Sequence, residues 1–201
     1  MRINILHTLC AAVLLFAGAS PLSAQEDNDT TYAVILSGGG GVTKNVSVFE
    51  TTPGDINQVG FSGTVRAMWK PEYLIRAGLE TGYTYIYTVT TPTITTSAGT
   101  GQASGKLSAI PIMFMLSMPV WDEFEIYGGA GTYIVNSHLE GFGESLDQTV
   151  VSMGNMFAVS YSRPVHEGMR LGAELKWMYM DKFQDNNFSL HVMFYYTLLK
   201  Y

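Results

Sequence analysis

An alternation with a period of two residues runs through "LIRAGLETGYTYIY", residues 74–87, and constrains this chain more than any other feature. Ile75, Ala77, Leu79, Thr81, Tyr83, Tyr85 and Tyr87 fall on one parity, and Arg76, Gly78, Glu80, Gly82 and Thr84 on the other. Period two is the repeat of a β-strand with two unlike faces. The pattern recurs. Val59, Phe61, Val65, Ala67 and Trp69 oppose Ser62, Thr64, Arg66 and Lys70. Met169, Leu171, Ala173, Leu175, Trp177 and Tyr179 oppose Arg170, Gly172, Glu174 and Lys176. Val151, Met153, Phe157, Val159 and Tyr161 oppose Ser152, Gly154, Ala158, Ser160 and Ser162, with Asn155 the exception on the apolar side.

Turn chemistry separates eight predicted strands, at 31–42, 57–70, 73–89, 104–119, 123–136, 148–163, 168–180 and 187–200. Each reaches the roughly 9–11 residues that a tilted strand needs to cross a hydrocarbon layer. The connections have a rhythm of their own. "KPEY", "PVWDE" and "RPVHEG" are short, whereas "TKNVSVFETTPGDI", "TTPTITTSAGTGQAS" and "HLEGFGESLDQ" are longer and polar. The last, "DKFQDN", is shorter but equally polar. Tight turns at one end and longer loops at the other fit an outer-membrane barrel with its short side in the periplasm.

The polar faces are mainly Gly, Ser, Thr and Ala, with a few long charged residues. Small side chains suit the cramped lumen of an eight-strand barrel better than a solvated exterior, which carries Lys and Glu in quantity. The charges are therefore expected inside, and the apolar faces toward lipid. The aromatics support that orientation. Trp69, Tyr73, Trp121, Tyr127, Tyr161 and Tyr201 lie near the short-turn ends, and Tyr83, Tyr85, Tyr87, Tyr133, Trp177 and Tyr179 toward the long-loop ends. Two such rows match the aromatic girdles of the membrane–water boundaries.

The chain's beginning points to the compartment. Arg2, an apolar run to Phe16 and small residues around Ala24 have the layout of a secretory signal peptide, residues 1–24, cleaved between Ala24 and Gln25. Residues 25–201 are then one barrel domain. The sole cysteine, Cys10, lies within the leader, which leaves neither disulfide nor thiolate to the mature chain. The formal charge is −6, and more negative still without Arg2, which argues against a nucleic-acid partner.

In "GFSGTVRAMWKPEYLIRAGLETGYTY", "LSAIPIMFMLSMP", "EIYGGAGTYIV", "RLGAELKWMY" and a last strand ending in an aromatic, the chain resembles the small outer-membrane β-barrel proteins of the OmpA/OmpX type, a porin-like superfamily. The resemblance covers essentially the whole mature chain. It implies an eight-stranded antiparallel up-and-down barrel in the outer membrane of a Gram-negative envelope. Lipid and lipopolysaccharide would surround it, and the assembly machinery would read its final strand. One departure concerns that strand. Leu190, Val192, Phe194, Tyr196 and Leu198 form the apolar face and Tyr201 falls on the other parity, so a bulge near Leu199 is needed to reconcile them.

Arg66, Arg76, Glu80, Arg170, Glu174 and Lys176 are the expected interior charges. Unpaired charges in a narrow lumen are costly, so an ionic network that plugs the barrel is expected; an ion or proton pathway is the alternative. The candidates for catalysis are Ser137, His138 and Glu140 at the outer end of the fifth strand, and Ser189 with His191 on the eighth. A Ser–His pair could attack a lipid ester, as lipid A deacylases do, but their His-x-Ser order is reversed here. A hydrogen-bonded structural histidine is the plainer reading. No cluster has metal-ligand spacing, and "SGGGG" at 37–41 lacks the Lys-Ser/Thr and helix of a phosphate loop.

The favoured expectation is a non-enzymatic barrel without cofactor, serving envelope integrity or contact with an extracellular partner of its loops. A lipid-modifying enzyme and a narrow porin-like channel are the alternatives. A secreted soluble barrel would require both faces to be inverted.

Overall fold

A computed structural model describes residues 32–46, 55–72, 74–92, 94–96, 99–101, 103–141 and 144–200. Ala24, Gln25, Cys10, Tyr73 and Tyr201 lie outside the described residues. Eight long strands follow the chain: β1 Ala33–Asn45, β2 Val59–Lys70, β3 Arg76–Thr90, β4 Ala103–Pro119, β5 Phe124–Gly141, β6 Glu144–His166, β7 Met169–Met180 and β8 Asp185–Lys200. Each pairs antiparallel with its neighbours in sequence, and β1 pairs with both β2 and β8, so the ring closes. The fold is an all-β, eight-stranded, antiparallel up-and-down barrel. Closure leaves no sheet edge within the ring, which is what allows strands to stand in lipid. Three further short strands lie between the long ones: Asp55–Asn57 pairs with the end of β3, and Ile94–Thr96 pairs with Gly99–Gly101.

The two faces differ as the alternation requires. Arg66, Glu80, Glu174, Lys176, Ser62, Thr64, Ser189 and His191 are buried in the lumen. Phe61, Val65, Leu79, Ile112, Phe114, Leu171, Leu175, Leu190, Val192 and Phe194 are exposed on the outside. The interior itself is two-sided. Polar groups line the β8–β1–β2 wall, while Met113, Met115, Met156, Met178 and Met180 pack with Tyr133 and Val135 opposite. Unbranched Met fills such irregular narrow space without demanding one shape.

Three bulges re-aim side chains. On β8, Leu199 faces Val34 and Thr197 faces Ile35, so Leu198 is the extra residue; Leu198 and Leu199 are both exposed. On β3, Tyr85 faces Ser108 and Tyr87 faces Leu107, with Ile86 extra and fully buried. On β6, Val165 is extra opposite the Met169–Arg170 step.

The β5–β6 connection differs from the expected loop. "HLEGFGESLDQ" is mostly paired strand, with His138 opposite Asp147 and Gly141 opposite Glu144. The β7–β8 connection is the four-residue turn Asp181–Gln184, where Gln184 has φ 52°. The β3–β4 and β5–β6 hairpins therefore extend well beyond the β7–β8 turn at the long-connection end. At the other end the β6–β7 turn is only Glu167–Gly168, and Gly168 takes φ 72°, a conformation that favours glycine.

Candidate functional site

The centre of the lumen holds four charges that cross it. Arg66 and Glu80 are a direct cross-strand pair on β2 and β3, and Glu174 and Lys176 stand on β7, three strands away around the ring. Arg66 Nε donates to Glu80 Oε2 at 2.6 Å, and its Nη1 and Nη2 donate to Glu174 Oε2 and Oε1 at 2.9 and 3.0 Å. Lys176 Nζ donates to Glu80 Oε1 at 2.6 Å and lies 3.2 Å from Glu174 Oε1. All four side chains are 0–1% exposed. The Arg66 guanidinium also lies 4.0 Å from the centre of the Tyr127 ring. The four formal charges cancel and bridge opposite walls of the barrel.

The two remaining sequence candidates for interior charge lie elsewhere, at the short-connection mouth. Arg76 pairs with Glu125 at 2.9 Å, and Glu125 also accepts a hydrogen bond from Ser117 at 2.6 Å. Arg170 donates to Ser162 Oγ at 3.0 Å and to the Asp122 carbonyl at 2.5 Å. Arg76, Glu125 and Arg170, with Lys70, Tyr127 and Tyr195, line a cavity of about 210 Å³. Glu125 was not singled out in the sequence because its partner is distant along the chain, and only the β3–β4–β5 pairing brings the two together.

His191 and Ser189 do not pair with each other. His191 Nε2 lies 2.5 Å from Ser62 Oγ on β2, and Ser189 donates to Thr43 at 3.0 Å. The Ser62–His191 contact has the reach of a nucleophile and base, but both residues are 0–2% exposed and His191 Nδ1 has no protein partner. Among the described residues no carboxylate hydrogen-bonds that imidazole. Ser137 and His138 are consecutive residues on β5 and so project to opposite faces of the strand. His138 lies on the polar extension above the apolar band, with Nδ1 2.5 Å from Asp147 and Nε2 2.9 Å from Glu140. Those two carboxylates, Asp147 foremost, raise the His138 pKa above its ordinary value. Two occupied ring nitrogens leave no lone pair for a nucleophile or a metal. Among the described residues no group of His, Cys, Asp or Glu is arranged to hold a metal ion.

The aromatic rows need correction. Tyr127 and Tyr133 face the lumen and are 2% and 1% exposed, so neither belongs to a girdle. Tyr87 turns toward the interior after the Ile86 bulge and packs against the buried cluster. Trp69, Trp121 and Tyr83 are exposed; at the short-connection end Trp121 packs edge to face on Phe124, which meets Tyr161 at a tilt. Trp177 and Tyr179 stack 6.3 Å apart at the other end, and Trp177 Nε1 donates to Asn186 at 3.1 Å.

A closed barrel with charges enclosed and Leu, Val, Ile and Phe exposed around its waist meets lipid, because water would drive the reverse arrangement. This is a membrane barrel. No protein family and no curated protein matches the sequence. Solved structures do resemble it. Ail, the attachment invasion locus protein of Yersinia pestis, in complex with the heparin analogue sucrose octasulfate, aligns with a TM-score of 0.47 at 9% identity, over 84% of this chain and 98% of its own. Neisserial surface protein A aligns with a TM-score of 0.43 at 15% identity, over 84% of this chain and 97% of its own.

Proposed function

We propose that this protein is a non-enzymatic integral outer-membrane barrel whose plugged lumen anchors an extracellular sheet for contact with an outside partner. The observation that carries the reading is the enclosure of Arg66, Glu80, Glu174 and Lys176 inside a shell of exposed apolar side chains. The short connections then face the periplasm, as do the start of β1 and the end of β8. Lipid and lipopolysaccharide cover the apolar band, and the bulged final strand presents Leu198 and Leu199 to lipid and to the assembly machinery.

The four-charge network supports a plug rather than a pore. Conduction would require the Arg66 contacts to Glu80 and Glu174 to open together. The extracellular contact rests on β6. Above Gly154, β6 pairs with β5 alone among the described residues; Met153 O accepts from Asp181 and Ser152 Oγ from Lys182, but no strand covers Glu144–Val151. An open strand edge offers backbone donors and acceptors to an added strand. Glu144 and Asp147 on that edge favour an extended partner segment with basic side chains.

An enzymatic role has little support, since Ser62 and His191 are sealed and His138 is held by two carboxylates. Cell fractionation and planar-bilayer recording test the reading together. The mature protein is expected with outer membranes, migrating differently before and after boiling and showing no sustained conductance. Recovery in the soluble periplasm would overturn the membrane assignment, and steady open-channel current would overturn the plug.

A further inference from the structure

The centre of the lumen is balanced in charge, but its short-connection mouth is not. Lys70, Arg76, Arg170 and Lys200 line the cavity there, with Asp122, Glu123 and Glu125. Glu125 already holds Arg76 at 2.9 Å, and Glu123 holds Arg163, which is not part of the lining, at 3.0 Å. The cations Lys70, Arg170 and Lys200 then stand against the single carboxylate of Asp122. Among the described residues none of the three forms an ion pair.

Arg170 is held in place without being neutralised. Its Nε donates to Ser162 Oγ at 3.0 Å, and its Nη2 to the Ser162 and Asp122 carbonyls at 2.8 and 2.5 Å. All three acceptors are uncharged, so the guanidinium plane is fixed and its full charge remains. A planar fork of that kind suits a carboxylate or phosphate. Lys200 and Lys70 stand on either side of Ala33, in register across β8, β1 and β2. Two strand spacings put their Cα atoms about 10 Å apart, and two like charges there are stabilised by a negative group between them. Tyr195, the cross-strand partner of Arg170, is 6% exposed, and its hydroxyl is buried with no hydrogen-bond partner; Ser160 stands near it but outside bonding geometry. The wall next to Arg170 thus carries an unused donor as well.

We propose that this mouth binds a small oxyanion, a phosphate or carboxylate group arriving from the periplasm, with Arg170 as its fixed contact and Lys70 and Lys200 closing over it. The volume fits. About 210 Å³ is room for roughly seven waters, or for one such group on a short stem. Ile35, Met68 and Phe124 give the stem an apolar wall. Tyr127 bounds the cavity on its inner side, with the Arg66 guanidinium 4.0 Å from its ring centre. The anion therefore stops at the central network, which makes this a site of capture and not of passage. A cation would meet three like charges and only one free carboxylate.

The side from which the anion arrives rests on the membrane reading; the site itself does not. Folded protein in alkyl glucoside micelles, at low salt and without phosphate buffer, is titrated with inorganic phosphate and separately with acetate, and binding is followed by calorimetry. One site per chain is expected, tighter for phosphate with its greater charge, and weakened by added salt. Lys70→Gln combined with Lys200→Gln should weaken phosphate binding about fivefold. Arg170→Lys keeps the charge but loses the fork, and should weaken it about tenfold. Lys106→Gln removes the same charge at the opposite end of the barrel and should leave the affinity unchanged. A heat-shifted band for each variant confirms that it is folded. Absence of phosphate binding to the folded protein, or affinity indifferent to both the lysine pair and Arg170→Lys, would overturn the site and leave the membrane reading standing. Recovery of a binding-competent protein from the soluble periplasm would overturn the membrane reading, and with it the proposed side of arrival, while the site remained.

Discussion

Replacing Arg66 by Met is the most demanding test of the lumen. The side chain is fully enclosed and gives Nε to Glu80 at 2.6 Å and two further nitrogens to Glu174 at 2.9 and 3.0 Å. Met keeps much of the apolar volume against Tyr127, so the loss is electrostatic rather than a cavity. Two buried carboxylates are then left to one ammonium, Lys176, and the centre of the barrel carries a net negative charge. Removing one partner from a buried ion pair costs about 3–5 kcal/mol. Because Lys176 already reaches Glu80 at 2.6 Å and Glu174 at 3.2 Å, the lower end applies, about 3 kcal/mol, or roughly a hundredfold in the folding equilibrium. Urea unfolding in detergent micelles, followed by tryptophan fluorescence and by the mobility of unheated samples, would read this as a lower midpoint with unchanged slope. Adding Glu174→Gln restores neutrality around Lys176 and Glu80, so the double variant should be more stable than the sum of the two single losses by about 1 kcal/mol or more. If Arg66→Met costs less than about 1 kcal/mol and shows no coupling to Glu174→Gln, the four charges are not a bonded network and the plug argument fails.

Three further outcomes test other parts of the barrel. Leu175→Lys, at an exposed position on the apolar band, should destabilise insertion into phospholipid vesicles by about 2–4 kcal/mol, and a neutral result would mean that this face meets water. His138 should titrate above its ordinary pKa of 6.5 in an NMR pH series, and Asp147→Asn should lower it more than Glu140→Gln does, since Asp147 is the larger cause. Because its pKa is raised in the folded state, its contribution to the β5–β6 hairpin is complete below the unfolded pKa and fades as pH rises through the folded one; a wild-type value at or below 6.5 would contradict the two contacts. Gly168→Ala places a Cβ at φ 72° in the two-residue turn and should cost about 1–2 kcal/mol in the same urea assay, with no loss arguing against that backbone conformation.

The limits of the sequence reading have physical causes that particular residues display. Alternation located β2, β3 and β7 because one face of each meets lipid and the other is enclosed, so polarity changes at every residue. It lost the outer parts of β5 and β6 because both faces there meet water; Ser137 and His138, or Asp147 and Gln148, carry no contrast to read, and the composition is that of a loop. It misplaced Tyr127 and Tyr133 because β5 has small residues on both sides, with Gly129 and Gly131 inside and Gly128 and Ala130 outside. Where neither face is distinctive, an aromatic ring can be assigned only by counting from a neighbour. Tyr87 fails differently, since the Ile86 bulge inverts the parity beyond it and no residue type announces that step. The charges divide along the same line. Arg66 and Glu80 are direct partners on adjacent strands, a pairing that a hairpin register already implies. Their bonds to Glu174 and Lys176 depend on closure of the ring, which carries β7 across the lumen to face β2 and β3. Pattern along one strand thus fixes which way a side chain points, and only the closed circumference decides what it meets.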